Sequence, residues 1–138
     1  MITELAQAVV VALNAETFAL DFMAKRIVLP QTKLEDLDGL TVSVVPRSDE
    51  LTSLTRGLTA HEMKIDIAIQ QRVSAVDNTT IDPLIALAEE VRTFLNRQRI
   101  GDGIWKRTQH EPIYLPDHLR QLRTFTSVIT VTYIETQS

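Results

Sequence analysis

A stretch of two-residue alternation is the feature that most constrains how this chain can fold. Between residues 61 and 73, one set of positions is apolar: Met63, Ile65, Ile67 and Ile69. The positions between them are polar or charged: Glu62, Lys64, Asp66, Gln70 and Arg72. Successive side chains of a strand point to opposite faces. The pattern therefore predicts an antiparallel strand with one buried face and one solvated face.

Residues 82–98 show the helical periodicity of an element that covers such a sheet. Asp82 is the predicted N-cap, and Pro83 follows at the first helical position, where its missing N–H costs nothing. The apolar residues fall on one stripe: Leu84, Leu87, Ala88, Val91, Phe94 and Leu95. Because a helix with a single apolar stripe buries that stripe, we expect it to pack on the sheet.

Weaker patterns predict the remaining helix and strands. Apolar residues recur at helical spacing over residues 2–14, which predicts an N-terminal helix. Strands are predicted over residues 17–29, 40–45, 104–115 and 122–135. In the last of these, we expect a solvated threonine face: Thr124, Thr126, Thr130 and Thr132.

Two segments are predicted as loops. Residues 31–39 are polar and carry Glu35, Asp36 and Asp38. Residues 47–60 are rich in serine and threonine, and are too long for a tight hairpin turn.

The resulting order is α-β-β-β-α-β-β, with all 138 residues in one domain. Two helices on one face of a mixed or antiparallel sheet define an α+β fold. No segment is apolar for long enough to cross a bilayer, so the sequence predicts a soluble protein without membrane contact.

Few residues are suited to catalysis or metal binding. The chain has no cysteine, which excludes disulfides, thiolate zinc sites and cysteine nucleophiles. His110 and His118 flank a proline-containing turn next to Glu111 and Asp117, where either an acid–base site or an ordinary polar turn fits. No phosphate-binding loop or HExxH motif is present. We therefore expect no catalytic residue, metal or cofactor, with an enzyme centred on the two histidines as an alternative.

Charge is distributed unevenly along the chain. The net charge of −4 argues against sequence-independent binding of nucleic acid, which normally needs a basic surplus. Residues 1–90 contain 14 acids and 7 bases, whereas residues 91–138 contain 4 acids and 7 bases. Chance variation explains this asymmetry, and so do two surfaces of opposite sign that join identical copies head to tail. Trp105 with Lys106 and Arg107 is the one aromatic–basic cluster; sheet-edge packing, a protein interface and nucleic-acid stacking all fit it.

The order of elements resembles the tail terminator proteins of long-tailed phages, related to the gpU-like minor tail proteins. Two segments support the resemblance: IDPLIALAEEVRTFL at residues 81–95, similar to that family's central helix, and RTFTSVITVTYIE at residues 123–135, similar to its final strand. The resemblance implies a virion protein that assembles in the host cytoplasm as a hexameric ring at the head-proximal end of the tail. Such a ring caps the tail tube, stops its polymerisation and meets the head-side connector, or neck. Genome DNA passes through it without specific binding.

If copies of this chain form such a ring, its charged and aromatic surface residues are the predicted interface: Glu35, Asp36, Asp49, Glu50, Arg56, Arg97, Arg99, Trp105, Lys106 and Arg107. As a hypothesis, the four bases of this set between residues 97 and 107 meet Glu35, Asp36, Asp49 or Glu50 of the next copy. Two non-enzymatic alternatives are a head-completion or neck protein and a small ligand-binding α+β domain that dimerises through a sheet edge.

Overall fold

The computed structural model describes residues 2–28 and 39–137 as three helices and one six-stranded mixed sheet. The helices are α1 (Ile2–Ala15), α2 (Asn78–Leu95) and α3 (Pro116–Leu122). The strands are β1 (Ala24–Arg26), β2 (Thr41–Thr55), β3 (Leu58–Arg72), β4 (Arg99–Ile100), β5 (Gly103–His110) and β6 (Thr124–Gln137). Their spatial order is β1-β2-β3-β6-β5-β4, in which β1 runs parallel to β2 and all other neighbours are antiparallel. The predicted α+β class is confirmed, with α3 as an extra element.

One apolar core lies between the sheet and the two longer helices. Met63, Ile65, Ile67 and Ile69 of β3 are fully buried, as the alternation predicts, but the prediction of a solvated Gln70 is wrong, because Gln70 is buried as well. The apolar faces of α1 and α2 join the same buried cluster as these isoleucines, so both helices cover one face of the sheet.

The predicted strand over residues 17–29 is wrong for most of its length. Only Ala24–Arg26 is a strand, and residues 17–23 are irregular. The apolar residues at alternate positions of this segment, such as Phe18 and Phe22, are explained by aromatic packing. Phe18 stacks on Phe22 at 5.3 Å between ring centroids and contacts Phe94 of α2 edge-on at 5.7 Å. Residues 29–38, and with them Glu35 and Asp36, lie outside the described part of the chain.

The predicted loop over residues 47–60 is also wrong, because β2 and β3 form one long hairpin. Thr55 pairs with Leu58, so the connection is a two-residue turn, Arg56-Gly57, in which Gly57 has a φ of 83°. Glycine adopts this left-handed conformation at no steric cost. Pro46 does not stop β2, because it lies at a register shift where a residue without an N–H is tolerated.

The elements after β3 also differ from the sequence expectations. Helix α2 spans residues 78–95 instead of 82–98, and Pro83 lies inside it. The strand predicted over residues 104–115 ends at His110, and residues 116–122 form α3.

The threonine face of β6 is buried instead of solvated. Thr124, Thr126, Thr130 and Thr132 are at most 4% exposed. Strand β6 is central in the sheet, so side chains from its neighbours and from α3 cover this face. Thr130 donates to Asp66 Oδ1 at 2.6 Å, and Thr126 Oγ1 lies 2.9 Å from His118 Nδ1.

The N-cap of α2 is Asp77, and the predicted cap, Asp82, lies within the helix. The Asp77 carboxylate accepts a hydrogen bond from the backbone N–H of Thr80 at 2.8 Å. This bond lowers the pKa of Asp77, because it favours the ionised form.

We expect Asp77→Ala to lower the urea midpoint of unfolding at neutral pH, and Asp82→Ala, at an exposed position, to leave it nearly unchanged. Since the folded-state pKa of Asp77 is depressed, the difference between Asp77→Ala and the parent should shrink as pH falls through that pKa. Equal midpoints for the two variants at pH 7 would show that Asp77 does not cap the helix.

Candidate functional site

The β2–β3 hairpin extends beyond the helices as a projecting arm. The arm is defined here as residues 48–62 together with residues 134–137 of β6, which continue its sheet. Every residue of β2 from Arg47 onward is exposed. Two large apolar side chains are among them, Leu51 at 61% exposure and Leu54 at 52%. A strand segment that adds little to the core and exposes leucine is typical of an interaction surface.

A buried histidine fastens the three strands of the arm together. His61 of β3 is only 7% exposed. Its Nδ1 lies 3.1 Å from Asp49 Oδ1 of β2, and its Nε2 lies 2.9 Å from Gln137 Oε1 of β6. Both partners are acceptors, so the doubly protonated ring satisfies both. The hydrogen bond to Asp49, with that to Gln137, therefore raises the pKa of His61.

The surroundings of a second histidine, His110, lower its pKa instead of raising it. Arg92 of α2 donates to His110 Nδ1 at 3.2 Å, and His110 Nε2 lies 2.7 Å from Ser127 Oγ. Burial and then the Arg92 charge lower the pKa of His110. With Nδ1 as acceptor, the neutral ring carries its proton on Nε2 and donates to Ser127. This tautomer cannot take a proton from Ser127, so the pair is not arranged as a nucleophile and its base.

The two histidines should titrate on opposite sides of the ordinary histidine pKa. We expect an NMR titration of the imidazole Cε1–H signals to place His61 above that value and His110 below it. The raised folded-state pKa means that His61 stabilises the arm fully below its unfolded pKa. That stabilisation is lost as pH rises through the folded pKa.

Asp49→Asn is the matched variant for this titration. It removes the carboxylate that raises the pKa of His61 and touches none of the partners of His110. The pKa of His61 should fall while that of His110 stays fixed. An unchanged His61 signal would rule out Asp49 as the cause.

The basic cluster predicted from the sequence lies on β5, near the lateral end of the sheet that is opposite to β2. Lys106 Nζ and Arg107 Nη2 contact Glu62 of β3 at 3.1 and 3.2 Å, reaching across β6. The bond from Lys106 contributes most to a lowered Glu62 pKa. The two basic side chains form ion pairs within the chain, but they are still 41% and 46% exposed and remain accessible to solvent. Trp105 is half-buried against the core, and its Nε1 donates to Thr108 at 2.8 Å.

The outermost strands of the sheet, β1 and β4, are short, so they leave most of the outer edges of β2 and β5 unpaired among the described residues. On one side, β1 pairs only with residues 42–44 of β2. On the other side, β4 pairs only with residues 103 and 104 of β5. Among the described residues, no strand lies beyond β2 from residue 45 to 55, or beyond β5 from residue 105 to 110. These two segments are called here the β2 edge and the β5 edge.

The structure divides the sequence-predicted interface between these two edges. Asp49 and Glu50 lie on the β2 edge, next to the turn residue Arg56. Trp105, Lys106 and Arg107 lie on the β5 edge, and the exposed Arg97 and Arg99 precede it in and before β4. No sequence pattern indicated that His61 joins the strands of the arm, because its hydrogen-bond partners are 12 and 76 residues away along the chain.

Comparison with known proteins assigns no family: no family model matches the chain, and no curated protein matches it in sequence. Within the described ranges, no cluster of three histidine, aspartate or glutamate side chains is placed to hold a metal ion. None of the helices in those ranges is both long and apolar enough to span a membrane.

Proposed function

We propose that this chain is a structural virion protein of a tailed phage, a tail terminator that forms a ring on the head-proximal end of the tail tube. The observation that carries the proposal is the pair of sheet edges of opposite character on opposite sides of one subunit. The β2 edge carries Asp49 and Glu50, together with Arg47, which is paired with Asp66, and the β5 edge carries Lys106 and Arg107. Two different, complementary surfaces give a head-to-tail contact, which closes into a ring when the rotation per subunit allows it.

The number of subunits rests on the resemblance of residues 81–95 and 123–135 to tail terminators, which implies six. The partners follow from the same source: the tail tube protein below the ring and the head-side connector above it. The net charge of −4 suits a ring whose centre passes DNA, since an acidic surface does not retain phosphates.

The polar clusters of the described residues favour a structural role over an enzymatic one. His110 donates to Ser127 and accepts from Arg92, and His118 contacts Thr126 instead of joining His110 in a shared site. The imidazoles of both histidines thus form hydrogen bonds between elements of the fold. In the long hairpin, both nitrogens of His61 are likewise bonded, to Asp49 and to Gln137.

A dimeric ligand-binding domain is the competing class, and it needs an edge that pairs with itself. Self-pairing of the β2 edge centred on Asp49 and Glu50 would bring these acids of two copies near each other, and self-pairing of the β5 edge centred on Lys106 and Arg107 would do the same for these bases; both are unfavourable. A head-completion or neck protein, by contrast, uses the same ring with a different partner.

Electron microscopy of the purified protein, alone and mixed with polymerising tail tube protein, tests the proposal. We expect rings with an open centre, and tubes that stop growing when the chain is added, with the ring at one end. Particles with two-fold symmetry and no central opening would contradict it. Rings that bind no tube would favour the neck alternative.

A further inference from the structure

We infer that neighbouring subunits join by sheet extension: the β2 edge of one copy forms backbone hydrogen bonds with the β5 edge of the next. The inference rests on the proposed ring and identifies its subunit contact. The occupant of each edge is a second copy of this chain. An unpaired strand edge presents a row of free N–H and C=O groups, which is a template for another strand.

Each edge combines a protected start with a regular segment that, among the described residues, no other strand covers. Proteins usually protect an edge with charged side chains, with proline, with bulges or with a covering segment. Pro46 and a register shift lie at the start of the β2 edge, and a register shift lies at the start of the β5 edge between Trp105 and Arg107. Residues 48–53 and 107–110 beyond them keep a regular register and contain no proline. Each edge therefore offers a regular segment for pairing.

Exposed apolar side chains mark both edges. Leu51 and Leu54 are more than half exposed on the β2 edge, and Ile104, which pairs with Arg99 of β4 just before the β5 edge, is 57% exposed. Large apolar side chains exposed beside charged residues favour burial against a partner. Pairing of the two edges would cover Leu51 and Leu54 in part.

Charge selects the pairing of unlike edges over like ones. Glu50 is exposed and has no partner among the described residues, and the same holds for Arg97 and Arg99 near the other edge. Lys106 and Arg107 keep more than 40% of their side chains accessible. Joining the β2 edge to the β5 edge can place Asp49 and Glu50 opposite Lys106 and Arg107, whereas self-pairing centred on these residues places like charges together. The contact is therefore heterologous and continues from subunit to subunit.

Single cysteines test this directly, because the chain has none of its own. Thr52→Cys places a thiol at an exposed position on the β2 edge, and Gln109→Cys places one at an exposed position on the β5 edge. Each variant is treated with a short bis-maleimide linker, alone and as an equal mixture. Val11→Cys, on the exposed side of α1 and on neither edge strand, is the control.

The expected result is a covalent dimer in the Thr52→Cys and Gln109→Cys mixture only. Neither variant should cross-link by itself or with Val11→Cys. A chain that carries both Thr52→Cys and Gln109→Cys should give a ladder of oligomers that ends at the ring.

The outcomes separate the edge contact from the ring itself. If the parent protein forms rings but the mixture gives no covalent dimer, sheet extension is overturned and the proposed function stands. Cross-linking of Thr52→Cys to itself, in a protein of dimeric mass, would overturn both.

Discussion

Replacing Leu87 with aspartate is expected to unfold the protein. Leu87 is fully buried in α2 and belongs to the core that both longer helices share with the sheet. Truncating a buried leucine to alanine costs about 2–5 kcal/mol, and an unpaired carboxylate at the same place adds its desolvation. That sum is comparable to the whole stability of a typical domain, about 5–15 kcal/mol. Far-UV circular dichroism during urea titration measures the loss.

The preceding residue of the same helix provides the control. Ala86 is exposed, so Ala86→Asp adds the same charge and loses only helix propensity, about 0.7 kcal/mol. We expect its unfolding midpoint to stay close to that of the parent. If Leu87→Asp and Ala86→Asp were equally stable, α2 would not pack on the sheet with the face that contains Leu87.

Replacing Leu51 and Leu54 together with lysine is expected to prevent assembly while the subunit stays folded. Both leucines lie on the projecting arm and are more than half exposed, so the isolated subunit loses little packing. In the proposed ring they are buried against the next copy. Losing about 3 kcal/mol of apolar burial weakens each contact by roughly a hundredfold, and the added cations face the basic β5 edge. Analytical ultracentrifugation over a concentration series measures the change.

Val11→Lys is matched to this variant, because Val11 is 60% exposed but lies on α1 and on neither edge strand. It should assemble like the parent and show the same circular dichroism spectrum. If Leu51→Lys with Leu54→Lys also assembled like the parent, the arm would not be part of the subunit contact.

Sequence patterns predicted the parts of the fold in which one face is buried and the other is not. The alternation of β3 holds over residues 63–67, where one face packs in the core and the other is only partly buried, and it ends at Ala68 and Gln70, which are buried on the second face. The apolar stripe of α2 holds for the same reason, except that its N-cap lies five residues before the predicted one, at Asp77 instead of Asp82. Local periodicity reports burial on one side, and these elements have it.

The wrong predictions concern elements that are not buried on one face only. The arm has little core to face, so residues 47–60 show no apolar alternation and resemble a loop although they form strands. Strand β6 is covered on both faces, so its threonines are buried and resemble solvated positions. Residues 17–23 alternate because their aromatic rings pack on Phe94, without any strand pairing.

The candidate site was predictable as a set of residues but not as an arrangement. Charge along the chain indicated acids in one part and bases in another, and the described members of that set lie at opposite sides of the sheet. Which strands are edges depends on pairings between distant segments, such as β3 with β6 and β5 with β6. No local pattern contains that information. The ion pairs of Lys106 and Arg107 with Glu62 were not predicted either, because they also join residues that are distant along the chain.

The native mass of the purified protein tests ring formation most directly. Native mass spectrometry across a concentration series should show one dominant assembly of six times 15.6 kDa, without a stable dimer as the end point. A closed dimer at every concentration, or a monomer that persists at the highest one, would contradict a self-assembling ring built from these two edges.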